Sequence, residues 1–172
     1  HFAENYVQEL ERKRALLPAD ILWHYVGHLQ RNKVRALLAP TNAVFSIDSV
    51  DSARLAEHID SIAQLHTSLS VRILLQVNVG GEETKSGVPP HELPALLGAI
   101  RAQTHLRPTG LMTLPPPLPR EQLRPYFRQV AGLARAHGLH DLSMGMSNDF
   151  EVAIEEGATE IRIGTALFGE RQ

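Results

Sequence analysis

Short apolar runs alternate along the chain with longer stretches in which apolar residues recur at helical spacing. Runs of this length that are apolar on both sides are typical of strands buried in a parallel sheet. They predict strands over residues 21–26, 44–47, 71–77, 107–112, 139–144 and 160–163, and residues 1–4 read as the end of a further strand.

The stretches between these strands predict helices over residues 7–17, 30–38, 52–69, 91–104, 120–137 and 149–156. From residue 52 onward the apolar positions follow the i, i+3, i+4, i+7 spacing of one helix face. Asp51 and Asn148 stand at N-cap positions, and Gly138 and Gly157 stand where helices end.

Strict alternation of strands and helices predicts parallel strands joined by right-handed crossovers. Such a sheet either stays open and doubly wound or closes into a (β/α)₈ barrel. Polar and glycine-rich segments follow nearly every predicted strand, which fits a barrel better than a sheet with one switch point. About seven strand–helix units can be counted, against eight in a barrel. We therefore expect a TIM barrel that lacks its first βα unit in this chain.

Composition limits the kinds of protein that this chain can be, but it does not identify a function. The 172 residues are 43% hydrophobic and 21% charged, which predicts a single domain over residues 1–172. The chain has no cysteine, so it offers no thiolate ligand and no disulfide. The net charge of −2 argues against a nucleic-acid partner, and no apolar run reaches the roughly 18 residues of a membrane span.

Ser147, Gly164 and Thr165 are the candidates for binding a phosphate. Each lies just after a predicted strand, in a turn that opens toward a helix and presents backbone N–H groups. The last two loops of a barrel commonly form its phosphate site. The alternative is an ordinary strand-to-helix turn in which glycine supplies backbone freedom.

Arg162 should face the interior, since Ile161 and Ile163 alternate with it along the strand. A buried guanidinium needs a partner. That partner is either an interior carboxylate, such as Glu4 or Asp48, or a heteroatom of a ligand, and the local sequence favours neither.

His28 follows Gly27 just after a predicted strand, where it could act as an acid or base or serve as a hydrogen-bonded structural residue. His24 is expected to pack in the core. No His/Asp/Glu spacing typical of a metal site occurs, so no metal ligand is predicted.

The glycine-rich loop 78–87 is either a mobile flap over the site or a capped turn. It contains Lys85, one of three lysines. Lys13 reads as part of a solvated helix face, and Lys33 belongs to a basic cluster that could grip an anion or simply favour solubility.

Taken together, residues 1–9, 23–35, 76–87, 110–113, 142–147 and 162–165 resemble the pyridoxal-phosphate homeostasis family, whose members are similar to the N-terminal domain of alanine racemase. The resemblance runs from the first residue to the last. It implies a barrel of the alanine racemase type that binds pyridoxal 5′-phosphate (PLP).

By that resemblance, the protein carries and buffers PLP in the cytoplasm without catalytic turnover, as a monomer with PLP-dependent apoenzymes as candidate recipients of the cofactor. Ser147, Gly164 and Thr165 would hold the phosphate. Arg162 would face the pyridine nitrogen and keep it unprotonated, which weakens the ring as an electron sink. The remaining cofactor-binding residues implied by the resemblance are Asn5, His28 and Met146, and none is assigned a catalytic role.

Two departures from the family pattern stand out. Ala3 occupies a position where the family usually has glycine, and the family's Schiff-base lysine lies upstream of the segment that matches His1. We therefore expect this chain to lack that lysine together with the first strand–helix unit. The alternative functions are a PLP-dependent racemase, for which no opposing-domain tyrosine is expected here, and a phosphate-binding barrel enzyme that uses His28 without PLP.

Overall fold

Strands and helices alternate through all the residues that the structure, a computed structural model, describes: 1–39, 44–66 and 70–169. The strands are β1 (Phe2–Glu4), β2 (Trp23–Tyr25), β3 (Ser46–Val50), β4 (Val71–Gln76), β5 (Leu106–Met112), β6 (Asp141–Met146) and β7 (Glu160–Arg162). The helices are α1 (Val7–Arg14), α2 (Arg31–Leu37), α3 (Ala53–Ala63), α4 (Leu93–Arg101), α5 (Arg124–Ala136), α6 (Phe150–Glu155) and α7 (Thr165–Phe168).

The seven strands form one parallel sheet in chain order, from β1 at one end to β7 at the other. The sheet curls on itself, because side chains from distant strands meet inside it. Arg72 Nη2 on β4 lies 2.6 Å from Glu160 Oε1 on β7, and His24 Nδ1 on β2 lies 3.8 Å from Glu160 Oε2. The predicted α/β barrel is therefore confirmed, with seven of a barrel's eight strand–helix units in the described residues.

The apolar core lies between the outer face of the sheet and the helices around it. Ile73 and Leu111 on the strands and Leu10, Leu97 and Phe127 on the helices are fully buried. Burying a side chain of this size contributes about 1.5–3 kcal/mol relative to leaving it exposed. This layer holds the strand ends, and hence the loops after them, in fixed positions.

Two predicted strands begin too early. The strand predicted over 44–47 runs over Ser46–Val50, and the strand predicted over 139–144 runs over Asp141–Met146. In the first of these strands, polar residues that read as loop belong to the strand, and one of them, Asp48, is buried in the interior of the barrel.

Helix boundaries differ mainly where a 3₁₀ turn replaces an α-helical one. The helix predicted over 52–69 ends at Ala63, a 3₁₀ turn follows over Gln64–His66, and residues 67–69 lie outside the described ranges. The helices predicted to start at residues 91 and 120 each begin with a 3₁₀ turn, Pro90–Glu92 and Arg120–Leu123.

Both predicted N-caps are wrong by one residue. Ser52 caps α3 by accepting a hydrogen bond from the Leu55 N–H at 3.3 Å, and Asp149 is the N-cap residue of α6. The two glycines predicted at helix ends are confirmed: Gly138 has φ of +66° and Gly157 has φ of +100°, the left-handed conformation that terminates helices.

Candidate functional site

The loops after β6 and β7 come together at the carboxyl end of the barrel. Met146, the last residue of β6, stands in register with Arg162, the last residue of β7. Just beyond them, the Ser147 hydroxyl accepts a hydrogen bond from the Ala166 N–H at 3.3 Å. One polar contact thus joins the turn after β6 to the first turn of α7.

Gly164 and Thr165 form an accessible turn at the start of α7. Thr165 is the first helical residue, so its N–H has no intrahelical acceptor. A Cβ built on Gly164 would meet no heavy atom within 4 Å, which shows open space beside the backbone. Both residues are exposed. Backbone N–H groups and the hydroxyls of Ser147 and Thr165 are the donor set that suits an anionic oxygen cluster.

Arg162 lies beneath this turn and is held by backbone rather than by a carboxylate. Its Nη1 donates to the Ser143 carbonyl at 2.8 Å and to the Ser143 hydroxyl at 2.9 Å, and its Nη2 donates to the Thr113 carbonyl at 2.9 Å. Neither proposed ion-pair partner, Glu4 or Asp48, bonds to it in the described residues.

The Arg162 guanidinium keeps donors to spare. Of its five N–H groups, three hydrogen bonds occupy Nη1 and one side of Nη2, which leaves Nε–H and one further N–H without a partner in the described residues. Burial lowers its pKa, and the charges of Asp48, Asp149 and Glu160 oppose that effect. An arginine stays charged at neutral pH, so this group can bind a lone pair.

Asn5 and His28 lie at the other end of the sheet, after β1 and β2. They line one cavity of about 400 Å³ together with Tyr6, Tyr25 and Lys33. Gly27 sets the approach of the two loops, since a Cβ there would lie 2.0 Å from the Asn5 carbonyl oxygen. No hydrogen bond or ion pair in the described residues joins this pair to Ser147 or Arg162.

His28 is placed as an accessible polar group rather than as a buried acid or base. Its side chain is 62% exposed. Its Nδ1 lies 3.2 Å from the Ser86 hydroxyl and 3.9 Å from Asp51 Oδ2. The Ser86 contact was missed in the sequence, because the two residues are 58 positions apart and belong to different loops.

The glycine-rich loop 78–87 is a turn held in place by hydrogen bonds and an ion pair. Asn78 Nδ2 donates to the Glu82 carbonyl at 2.8 Å, and a parallel bridge joins Val77 to Val88. Lys85 donates to the Pro115 carbonyl at 2.8 Å and pairs with Glu82 at 2.6 Å. These contacts favour the capped turn over the mobile flap.

Two side chains make polar contacts beyond their expected roles. His24 does not simply pack: its Nδ1 lies 3.1 Å from Asp48 Oδ2, and its Nε2 lies 2.9 Å from His1 Nδ1. Lys13 is 38% exposed, as a solvated helix face implies, and it also forms an ion pair with the buried Glu4. Both belong to polar contacts between elements that single-sequence periodicity cannot show.

The fold and these residues define a class of protein, an α/β barrel that has a turn rich in hydrogen-bond donors and an adjacent arginine at one mouth. The family model described as "Alanine racemase, N-terminal domain" matches residues 1–172. The chain belongs to this family.

Two proteins similar to this chain are linked to PLP, one by its name and the other by the PLP bound in its structure. The chain is 46% identical over 179 residues to the pyridoxal phosphate homeostasis protein of Aquifex aeolicus, a match that covers 99% of this chain and 77% of the relative. It is 38% identical to PipY of Synechococcus elongatus, whose structure has PLP bound, with a TM-score of 0.85 and coverage of 98% and 81%.

More distant structures share the fold alone. The alanine racemase of Clostridium difficile is 13% identical, with a TM-score of 0.75, and the match covers 99% of this chain and 45% of that enzyme. Among the described residues, no helix combines the length and apolar character needed to cross a membrane.

Proposed function

We propose that this chain binds PLP at the carboxyl end of its barrel and takes part in PLP homeostasis as a cofactor carrier, without catalytic turnover of its own. The observation that carries the proposal is the junction of Ser147 and the Gly164–Thr165 turn directly above Arg162. The name of the Aquifex relative and the PLP bound to PipY support the choice of ligand.

The phosphate group fits the turn between β7 and α7. Ser147 and Thr165 supply hydroxyls, and Gly164 and Thr165 supply backbone N–H groups beside open space. A dianionic phosphate accepts several such bonds at once, and charge-assisted hydrogen bonds are about twice as strong as neutral ones.

The pyridine nitrogen suits the unused N–H groups of Arg162. Because the guanidinium does not give up its proton, it donates a hydrogen bond and leaves the ring nitrogen unprotonated. PLP supplies an electron-withdrawing ring to enzymes that bind it, and an unprotonated nitrogen weakens that property. Arg162 therefore favours storage of the cofactor over reaction.

Met146, Asn5 and His28 complete the proposed site as its walls. Met146 is 36% exposed beside Arg162 and offers an adaptable apolar surface to a ring. Asn5 and His28 line a cavity after β1 and β2, and in this proposal they offer polar groups to the ring substituents.

Tyrosine geometry supports a carrier over a racemase. A racemase needs a base close to the ring. The Tyr25 hydroxyl donates to the His28 carbonyl at 3.4 Å, and burial raises its pKa, so it does not ionise at neutral pH. Tyr6 is 59% exposed in the cavity that it shares with Asn5 and His28, and Tyr126 lies on α5.

The proposal extends to one domain over residues 1–172, a monomer in the cytoplasm, and PLP-dependent apoenzymes as recipients. A carrier must release its cofactor to such enzymes, which requires an open mouth of the kind seen at Gly164.

A transfer assay tests the carrier role. The PLP-loaded protein is mixed with a PLP-free aminotransferase, and recovered aminotransferase activity is followed over time. We expect recovery, and no change in the enantiomer ratio of L-alanine incubated with the loaded protein alone. Racemisation that scales with the amount of protein would contradict the carrier role and favour the racemase.

A further inference from the structure

A second polar cluster lies inside the barrel, below the proposed cofactor site and separate from it. It consists of His24 on β2, Asp48 on β3 and Glu160 on β7, and we refer to it as the interior triad. One ligand-type atom of each residue lies within 4.8 Å of the others. Glu160 and Arg162 are two residues apart on one strand face, so the triad lies about 6–7 Å below Arg162.

Within the interior triad, one pair of ligand-type atoms is hydrogen-bonded and a second pair is too far apart for a hydrogen bond. His24 Nδ1 lies 3.1 Å from Asp48 Oδ2 and 3.8 Å from Glu160 Oε2. The longer separation is beyond hydrogen-bonding distance. A tetrahedral zinc ion with bonds of about 2.0–2.2 Å holds its ligand atoms roughly 3.3–3.6 Å apart, between the two observed values.

Each triad residue also has its second polar atom fixed from outside. Ser46 donates to Asp48 Oδ1 at 2.5 Å, Arg72 donates to Glu160 Oε1 at 2.6 Å, and His1 Nδ1 lies 2.9 Å from His24 Nε2. The remaining atoms, Nδ1, Oδ2 and Oε2, are the ones that face one another. Outer contacts of this kind orient the ligands of protein metal sites.

Charge and burial are compatible with a cation. His24 is 6% exposed and Asp48 is 1% exposed. Asp48, Asp141 and Glu160 bring three negative charges to this part of the interior, and Arg72 and Arg162 bring two positive ones.

The geometry points to the interior triad as a binding site for a divalent transition-metal ion of the zinc class, with one nitrogen and two carboxylate oxygens as ligands and a further position open to water. The ion would join β2 and β3 to β7, which lie toward opposite ends of the sheet. Its role is to hold the curled sheet closed. The sequence did not reveal it because the ligands come from three strands at positions 24, 48 and 160.

Metal content and thermal stability test this inference together. The purified protein is stripped with EDTA, supplied with Zn²⁺, and dialysed against metal-free buffer before metal analysis and thermal unfolding. We expect one zinc per chain and a higher Tm than in the stripped protein. Zinc content far below one per chain, or an unchanged Tm, would overturn the inference.

Variants distinguish zinc binding at the interior triad from zinc binding at surface histidines. His24→Ala and Glu160→Gln should each lower retained zinc at least tenfold and abolish the Tm increase, whereas the exposed His140→Ala should match the unaltered protein. If His24→Ala does not fold, Glu160→Gln decides, since its amide oxygen can still accept from Arg72. Zinc retained by Glu160→Gln at the level of His140→Ala would mean adventitious binding and refute the site.

Replacement by Co²⁺ gives an independent readout. A four-coordinate Co²⁺ with mixed nitrogen and oxygen ligands absorbs much more strongly in the visible region than hexahydrated Co²⁺. We expect that band in the unaltered protein and its loss in Glu160→Gln. A spectrum identical to aqueous Co²⁺ would contradict the proposed ligand set.

Discussion

At the scale of single residues, Arg162 illustrates how one side chain serves both fold and site. It ties β5 to β6 and β7 through the Thr113 and Ser143 carbonyls, and two of its N–H groups stay available. A guanidinium bound to carbonyls keeps its full positive charge for a ligand, whereas an ion pair with an interior carboxylate would have neutralised it.

Replacing Arg162 by lysine should therefore destabilise the protein. An ammonium cannot span both carbonyls, and a buried acceptor left without a donor costs about 1–3 kcal/mol. We expect Arg162→Lys to lower the free energy of unfolding by that amount in urea titrations. An unchanged midpoint and slope would show that the carbonyls find other donors.

The phosphate residues give the second prediction at this scale. Removing one hydroxyl that bonds a charged group costs about 1.5–3 kcal/mol, or roughly 10- to 150-fold in Kd. We expect Thr165→Val and Ser147→Ala each to weaken PLP binding by such a factor, measured by fluorescence titration.

Matched controls are available on exposed surfaces far from the barrel mouth. Thr104→Val and Ser61→Ala remove the same groups at exposed positions and should leave the PLP affinity unchanged. Equal PLP affinities for all four variants would show that the Ser147 and Thr165 hydroxyls do not bind the cofactor.

At the scale of elements, α5 and α6 are joined by a set of ion pairs. Glu156 Oε2 accepts from Arg128 Nε at 3.0 Å, and Glu156 Oε1 accepts from Arg124 Nη1 at 3.2 Å. The Arg128 hydrogen bond is the main cause that lowers the pKa of Glu156, with Arg124 acting in the same direction against desolvation.

This lowered pKa predicts a pH-dependent contribution to stability. The Glu156 carboxylate stabilises the fold fully above its ordinary pKa of 4.5, and the effect disappears as pH falls through the lower pKa of the folded state. We expect Glu156→Gln to have a lower Tm than the unaltered protein at pH 7, with the difference shrinking below pH 4. A difference that is constant with pH would exclude this carboxylate as its cause.

The sequence was sufficient to predict most of the strands and helices. It was less informative about the contacts that individual side chains make. Buried apolar runs gave the strands, yet β3 was placed too early because Asp48 and Ser49 inside it are polar. Gly164 and Thr165 could be singled out because a strand precedes them. The Ser143 and Thr113 partners of Arg162 could not, since they come from other strands and their contact depends on how the sheet curls.

At the scale of the whole molecule, polar contacts across the interior hold the curled sheet together. Arg72 on β4 reaches Glu160 on β7 and Asp141 on β6, and its guanidinium also lies 4.8 Å from the ring centre of Phe45. These contacts link strands that are up to three positions apart in the sheet.

Arg72→Met should show how much the contacts of Arg72 contribute to the free energy of unfolding. Removing one partner of a buried ion pair costs about 3–5 kcal/mol, and less where the partners keep solvent contact. Glu160 and Asp141 are 24% and 30% exposed, so we expect a loss of about 1–3 kcal/mol in chemical denaturation. Arg107→Met is the control, because Arg107 is its exposed register partner on β5. Equal losses in both variants would refute a special role for Arg72.

The central claim is that PLP binds through its phosphate at the turn above Arg162, and calorimetric titration with PLP and with pyridoxal tests it most directly. The two ligands share the ring and differ in the phosphate. We predict one PLP per chain and an affinity for pyridoxal at least tenfold lower. Equal affinities, or no saturable binding of PLP, would contradict the account.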